Sequence, residues 1–189
     1  MNEEIKNKII ELLLSTGRQG MKELLVHMED KGFFTAPCSG QYHLAKIGGL
    51  AEHSLNVYKT ACEVHFGLNL PIDSDSTDSL RIVTLIHDLG KMGHHNKPNY
   101  VPCILKSGKP SAKPFETNKE LLYVPHEIES LAIASRFIEL TEEEEFAILH
   151  HNGMYGDLKY QLTGKETPLQ MLLHFADMWA SRVIEKEDK

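Results

Sequence analysis

The chain has 189 residues, 41% apolar and 25% charged, with a formal net charge of −7. That is enough apolar material for one domain with a real core. It is too acidic for a broad electropositive surface, which disfavours tight non-specific binding to long nucleic acid. No run of about 18 apolar residues occurs, so no membrane span is expected. Cys38, Cys62 and Cys103 form no C-x-x-C pair, which fits a reducing compartment and no zinc ribbon. The first residues, Met1 to Lys6, are too acidic and amphipathic for a signal peptide, so the expected location is cytoplasmic. Eleven histidines are the compositional oddity.

Residues 3–15 carry Ile5, Ile9, Leu12 and Leu13 at helical spacing and end at Gly17 to Gly20. Met21, Leu24, Leu25 and Met28 form a second stripe, with Gly32 as its stop. His27 reads as a surface or partly packed histidine of that helix. Residues 33–41 read as a loop, and Tyr42 and His43 after it are placed to approach a site but carry no pattern of their own. Gly48-Gly49 opens a helix over about 50–66. Leu50, His53, Val57, Ala61 and Val64 share one side of it, so His53 faces inward. Taken alone, His53 reads more readily as a core histidine bonded to a carbonyl than as a ligand. Gly67 to Asp78 reads as a polar connection. Ser79 to Leu89 is nearly all apolar, which predicts a helix buried on most sides. Its end carries His87-Asp88, and Gly90 closes it.

Helical periodicity vanishes from Lys91 to Pro125, a stretch punctuated by Pro98, Pro102, Pro110 and Pro114. Val101 to Leu105 and Glu120 to Val124 have β character, with a turn beginning at Lys106. A long loop or short β-hairpin excursion is therefore expected at about 91–125, and a lid or flap is its functional form. Pro125 starts the next helix, with His126, Ser130, Ile133, Ala134 and Phe137 on one face. Thr141 and Glu144 form a capping box, and the acidic run 142–145 suits the positive end of that helix dipole. The helix ends at His150-His151-Asn152-Gly153, and 155–167 reads as a loop. A last helix runs from Pro168 to about Glu185, with Leu169, Leu173, Ala176, Ala180, Val183 and Ile184 buried. Asp177 lies inside that stripe. A carboxylate there needs a cation or strong donors, or it protonates.

Each inward histidine or aspartate has a bland explanation alone. Together His53, His87, Asp88, His126, one of His150 or His151, and Asp177 point to a shared cation, since a buried His-Asp doublet needs compensation. Imidazole and carboxylate donors without thiolate suit one or two divalent ions of the Mn, Fe, Zn, Co, Ni or Mg group.

The order H…HD…H…H…D resembles the HD superfamily of metal-dependent phosphohydrolases over roughly residues 45–185. The elements Gly48-Gly49-Leu50-Ala51-Glu52-His53, His87-Asp88-Leu89-Gly90-Lys91, the final His-x-Gly and Leu173-His174-Phe175-Ala176-Asp177 carry the likeness. They are similar to the HD domains of bacterial 3′–5′ exoribonucleases and to small stand-alone bacterial and phage HD hydrolases. The resemblance implies an all-α helical bundle: one HD domain over 1–189, with N-terminal helices at 1–44 and the HD core at 45–185. It implies that His53, His87, Asp88 and Asp177 hold a first metal. His126 and the later histidine complete a second, with Asp88 bridging. Anchoring on Gly153 favours His151 over His150, which periodicity does not separate. His94 and His95 have no counterpart and read as loop residues or substrate contacts. Lys91 reads either as a charge complementing a helix C-terminus or as a phosphate-neutralising catalytic group beside Asp88.

The implied function is hydrolysis of a phosphoester of a nucleotide or short oligonucleotide by a metal-activated water. The expected partner is a small phosphorylated substrate, favoured over long nucleic acid, with no membrane. The exoribonuclease form carries an extra nucleic-acid-binding barrel, and none is expected in these 189 residues. Two other classes fit the same ligands. One is a di-iron HD-type oxygenase acting on a small polyol or phosphonate, and the other is a catalytically inactive nucleotide-binding regulatory module.

Overall fold

The computed structural model describes residues 2–70 and 74–186. Its order is α1 (Glu3–Leu14), α2 (Met21–Asp30), α3 (Gly49–Gly67), α4 (Ser74–Ile86), β1 (Tyr100–Ile104), β2 (Pro110–Thr117), α5 (His126–Ala134), α6 (Glu142–Leu149), the short α7 (Lys159–Leu162) and α8 (Pro168–Trp179). It is an all-α bundle with one antiparallel hairpin. Among the described residues no helix is long and apolar enough to cross a membrane.

Helix α3 is the central strut, packing on α4 and α8 while α1 lies against its other side. The core includes Leu50, Val57 and Ala61 of α3, Ile82, Val83, Leu85 and Ile86 of α4, and Leu173 and Ala176 of α8. Burial of these aliphatic groups supplies the main driving force for assembly, and it brings His53 of α3, His87 after α4, His126 of α5 and His151 after α6 into one interior. Helix α1 buries Ile9, Leu12 and Leu13, as its periodicity predicts. The Thr141–Glu144 capping box forms on α6 with both reciprocal bonds present.

Four boundaries differ from the sequence expectation. Helix α4 starts at Ser74, so its first turns lie inside the stretch read as a polar connection; residues 71–73 of that stretch lie outside the described residues. The same helix ends at Ile86, and His87-Asp88 occupy the turn before a 3₁₀ segment at Leu89–Met92. Gly90 does not close the helix. It lets that turn approach α5: a Cβ there would lie 2.4 Å from the His126 carbonyl oxygen. The second strand is 110–117 rather than 120–124. Val101 pairs with Glu116 and Pro102 with Phe115, so the tighter Lys106–Lys109 connection sets the register. A short helix interrupts the expected 155–167 loop.

The largest departure is at the end of α8. The chain continues into a π-helical turn, Ala180–Ile184, closed by the Glu185 amide donating to the Ala180 carbonyl at 2.9 Å. One extra residue per turn rotates the stripe. Val183 and Ile184, expected inside, are 52% and 51% exposed, and Glu185 turns inward instead.

Candidate metal centre

The His87-Asp88 turn points into the space between α3, α5, α8 and the end of α6. His53, His87, Asp88 and His151 are each no more than 1% exposed. Asp88 is the hub. Its Oδ2 lies 3.3 Å from His87 Nε2 and 3.5 Å from His53 Nε2, and His53 Nε2 is 3.1 Å from Asp177 Oδ1. Its Oδ1 lies 3.3 Å from His126 Nε2 and 3.7 Å from His151 Nε2. The two carboxylate oxygens thus address two different sets of side chains.

Every one of the four imidazoles has its other nitrogen engaged by an acceptor. His87 Nδ1 meets the Thr84 carbonyl at 3.0 Å, and His151 Nδ1 meets the Ile148 carbonyl at 2.8 Å. His53 Nδ1 lies 3.0 Å from a Glu185 oxygen and His126 Nδ1 3.2 Å from Glu127. A carbonyl or carboxylate can only accept, so the first proton of each ring sits on Nδ1, and each ring in its neutral form presents a lone pair at Nε2. In that form four Nε2 atoms and the oxygens of Asp88 and Asp177 face the interior as acceptors, with the Lys91 ammonium beside Asp88 Oδ2. His53 Nε2, His87 Nε2 and both Asp88 oxygens are buried with no hydrogen bond of acceptable geometry. Leaving such groups unpaired is costly, and a cation satisfies them all together.

The electrostatics agree. Burial works against the Asp88 carboxylate, but Lys91 and His87 overcome it and hold its pKa well below 3.8. Burial likewise opposes the Asp177 anion, and contact with His53 outweighs it, again lowering the pKa. Burial opposes an imidazolium at His53, yet the Asp177 and Glu185 carboxylates beside it push its pKa well above 6.5. Burial keeps His126 and His151 neutral, with pKa values lowered to about 3 and about 4. The site asks for positive charge; with no metal, a proton on His53 meets part of that demand.

Lys91 Nζ lies 2.6 Å from Asp88 Oδ2, and although burial works against it, Asp88 raises its pKa well above 10.5. It lines a cavity of about 150 Å³ between the hairpin and α5, together with His94, Tyr100, Leu122, Tyr123 and His126.

A family model for the HD domain matches residues 50–180. The chain belongs to the HD-domain family. Comparison with the curated proteins returns no match, and comparison with the solved structures returns none either. HD domains bind divalent metals and are mostly metal-dependent hydrolases.

In this HD domain the structure brings together all six residues that the sequence singles out as ligands. His53, His87 and Asp177 offer one donor atom each within 4.8 Å of one another, as do His87, Asp88 and His151. His151, not His150, enters the centre: its Nε2 faces His126 Nε2 at 3.2 Å, whereas the His150 ring packs on Phe146. His94 stands at the cavity rim, 3.9 Å from Glu129, and His95 sits in a left-handed turn with φ 49°. Sequence reasoning misses Glu185 and Glu127; His43, expected to be able to approach a site though without a pattern, stands 5.1 Å from His53 ring to ring. No spacing flags Glu185, because a π turn sets its phase. Glu127 follows His126 directly and was legible as a neighbour, though not as its partner.

Proposed function

We propose that this HD domain is a metal-dependent phosphohydrolase acting on a phosphoester of a nucleotide or short oligonucleotide. The acceptor-rich lining around Asp88 carries this reading: four imidazole nitrogens and two carboxylates meet in one interior, and the Lys91 ammonium at its edge is too little positive charge for them. His53, His87, Asp177 and Asp88 Oδ2 would hold one divalent ion of the Mn, Fe, Zn, Co, Ni or Mg group. His126, His151 and Asp88 Oδ1 would hold a second. Bound there, such ions acidify a water and draw charge from the phosphoryl oxygens.

The protein's own residues supply the rest. Glu185, Glu127 and the Thr84 and Ile148 carbonyls fix the four rings in the ligating tautomer, which keeps the donors in place through turnover. Asp88 joins both halves of the centre, and Lys91 holds a permanent positive charge at its edge, where a non-bridging phosphoryl oxygen arrives. Burial of the centre strengthens each of these interactions. The adjoining cavity has room for a base-sized group, and Tyr100 and Tyr123 offer aromatic surface to it. A small phosphorylated ligand fits there; the net charge of −7 works against long RNA. We take residues 1–189 as one HD domain, with α1 and α2 as its N-terminal brace.

The test is a screen of metal-reconstituted protein, aerobic and anaerobic, against mononucleotides, cyclic dinucleotides and short RNA. Cation-dependent phosphoester cleavage that survives anaerobiosis is the expected result. Oxygen consumption on a polyol or phosphonate, without phosphoester cleavage, would instead identify a di-iron oxygenase. Stoichiometric nucleotide binding without turnover under every cation would identify a regulatory module.

A further inference from the structure

A third donor cluster adjoins the centre on the α3 side. Cys38 Sγ lies 3.2 Å from His43 Nε2, and Cys38, His43 and His53 each offer a ligand atom within 4.8 Å of one another. The His43 and His53 rings are 5.1 Å apart, and a Glu185 oxygen stands 4.0 Å from His43 Nε2. This is a soft sulfur donor, two imidazoles and a nearby carboxylate in one small volume.

The loop that presents Cys38 and His43 is built rather than incidental. The Cys38 amide donates to the Leu44 carbonyl at 3.2 Å. Ser39 Oγ donates to the His43 carbonyl at 2.8 Å and accepts from the Tyr42 amide at 2.9 Å. Leu44 takes a left-handed φ of 45°, uncommon for an aliphatic residue. A Cβ at Gly49 would lie 2.0 Å from the Leu44 carbonyl oxygen, so this glycine lets the turn press onto the start of α3. The closed turn sets residues 38 and 43 side by side against His53. Cys38 is fully buried, while the His43 side chain is 20% exposed and leaves a route in from solvent.

We propose that Cys38 and His43, with the Glu185 carboxylate beside them, form a separate site for a thiophilic divalent cation of the Zn²⁺ class, while both nitrogens of His53 stay committed to the HD centre and to Glu185. Thiolate plus imidazole selects Zn²⁺ or Co²⁺ over Mg²⁺ and Mn²⁺, a preference that the HD centre, which has no thiolate, holds less strongly. Binding replaces the Cys38 S–H bond by a sulfur–metal bond and releases that proton to solvent. The site does not depend on the hydrolytic reading, since neither Cys38 nor His43 enters it.

The probe is Co²⁺, added anaerobically to metal-free protein and followed by its near-ultraviolet thiolate-to-metal charge-transfer band. A Cys62→Ser/Cys103→Ser chain, in which Cys38 is the one remaining thiol, shows the band; its absence there overturns the proposal. In Cys38→Ser the band is lost and tightly bound Zn²⁺ falls by one ion per chain. Persistence of the band in that variant overturns the proposal too. The double-serine chain decides the matter even where Cys38→Ser fails to fold. Asp88→Ala keeps the band, which separates this site from the HD centre. Its disappearance in Asp88→Ala would refute a separate site.

Discussion

Two buried carboxylates in this molecule receive opposite treatment. Glu144, fully buried at the start of α6, has every oxygen answered. Arg18 grips it through two nitrogens at 2.9 and 2.7 Å, Ser79 Oγ donates at 2.7 Å and the Thr141 amide at 2.9 Å. That network ties the α1–α2 connection to α4 and α6. Asp88 is equally buried, yet only the Lys91 ammonium at Oδ2 answers it, neither oxygen receives a well-formed hydrogen bond, and its other neighbours are imidazole nitrogens. A finished network stabilises a fold; an unfinished one, surrounded by lone pairs, marks a place for something the chain does not itself contain.

Substitution separates the two most sharply. Asp88→Ala is expected to lower phosphoester turnover by about 10³-fold or more, while helix content by circular dichroism stays nearly intact; retained turnover would contradict its role as hub. Glu144→Ala is the mirror experiment. It leaves Arg18 without its carboxylate partner and removes a buried, hydrogen-bonded charge, so chemical denaturation should show a loss of about 3–5 kcal/mol. Metal content of the remaining folded protein should be unchanged, and a purely catalytic loss there would undo the contrast.

A subtler probe lies at the support of His53. Glu185→Gln keeps the shape of the side chain but weakens the acceptor that fixes Nδ1–H, and an effect of about 10- to 100-fold on metal affinity is expected by calorimetric titration. An unaltered affinity would show that Glu185 merely fills space. The smallest effect is in the acid limb of stability. Burial opposes the Glu144 anion, but Arg18, Thr141 and Ser79 together hold its pKa below 4.5. A folded pKa below the unfolded one adds stability that is full above about 4.5 and fades as pH falls through the folded value. Urea midpoints taken from neutral pH to below that point should therefore fall less steeply in Glu144→Gln than in the parent chain. Parallel curves would mean that Glu144 is not the group responsible.

Much of this was legible from residue order. Apolar spacing places His53 and Asp177 on inward faces, and the Thr141–Glu144 box is written in four consecutive residues. What escaped has a common physical cause: it depends on phase or on distant partners. The π turn after α8 exchanges Ile184 for Glu185 on the buried side, which no 3.6-residue pattern anticipates. The second strand sits at 110–117 because pairing with β1, not local β character, selects it. His150 and His151 are adjacent, and only the turn that ends α6 decides which ring enters the centre. Arg18 and Glu144 are separated by 126 residues and carry no local mark of their union.

The central claim is that the acceptors around Asp88 await a cation, and anomalous scattering from crystals grown with Mn²⁺ tests it most directly. The account predicts anomalous density between Asp88 and Asp177, ringed by His53 and His87, with a second peak beside His126 and His151 if both halves fill. Crystals that take up Mn²⁺ elsewhere and show no density at Asp88 would contradict it.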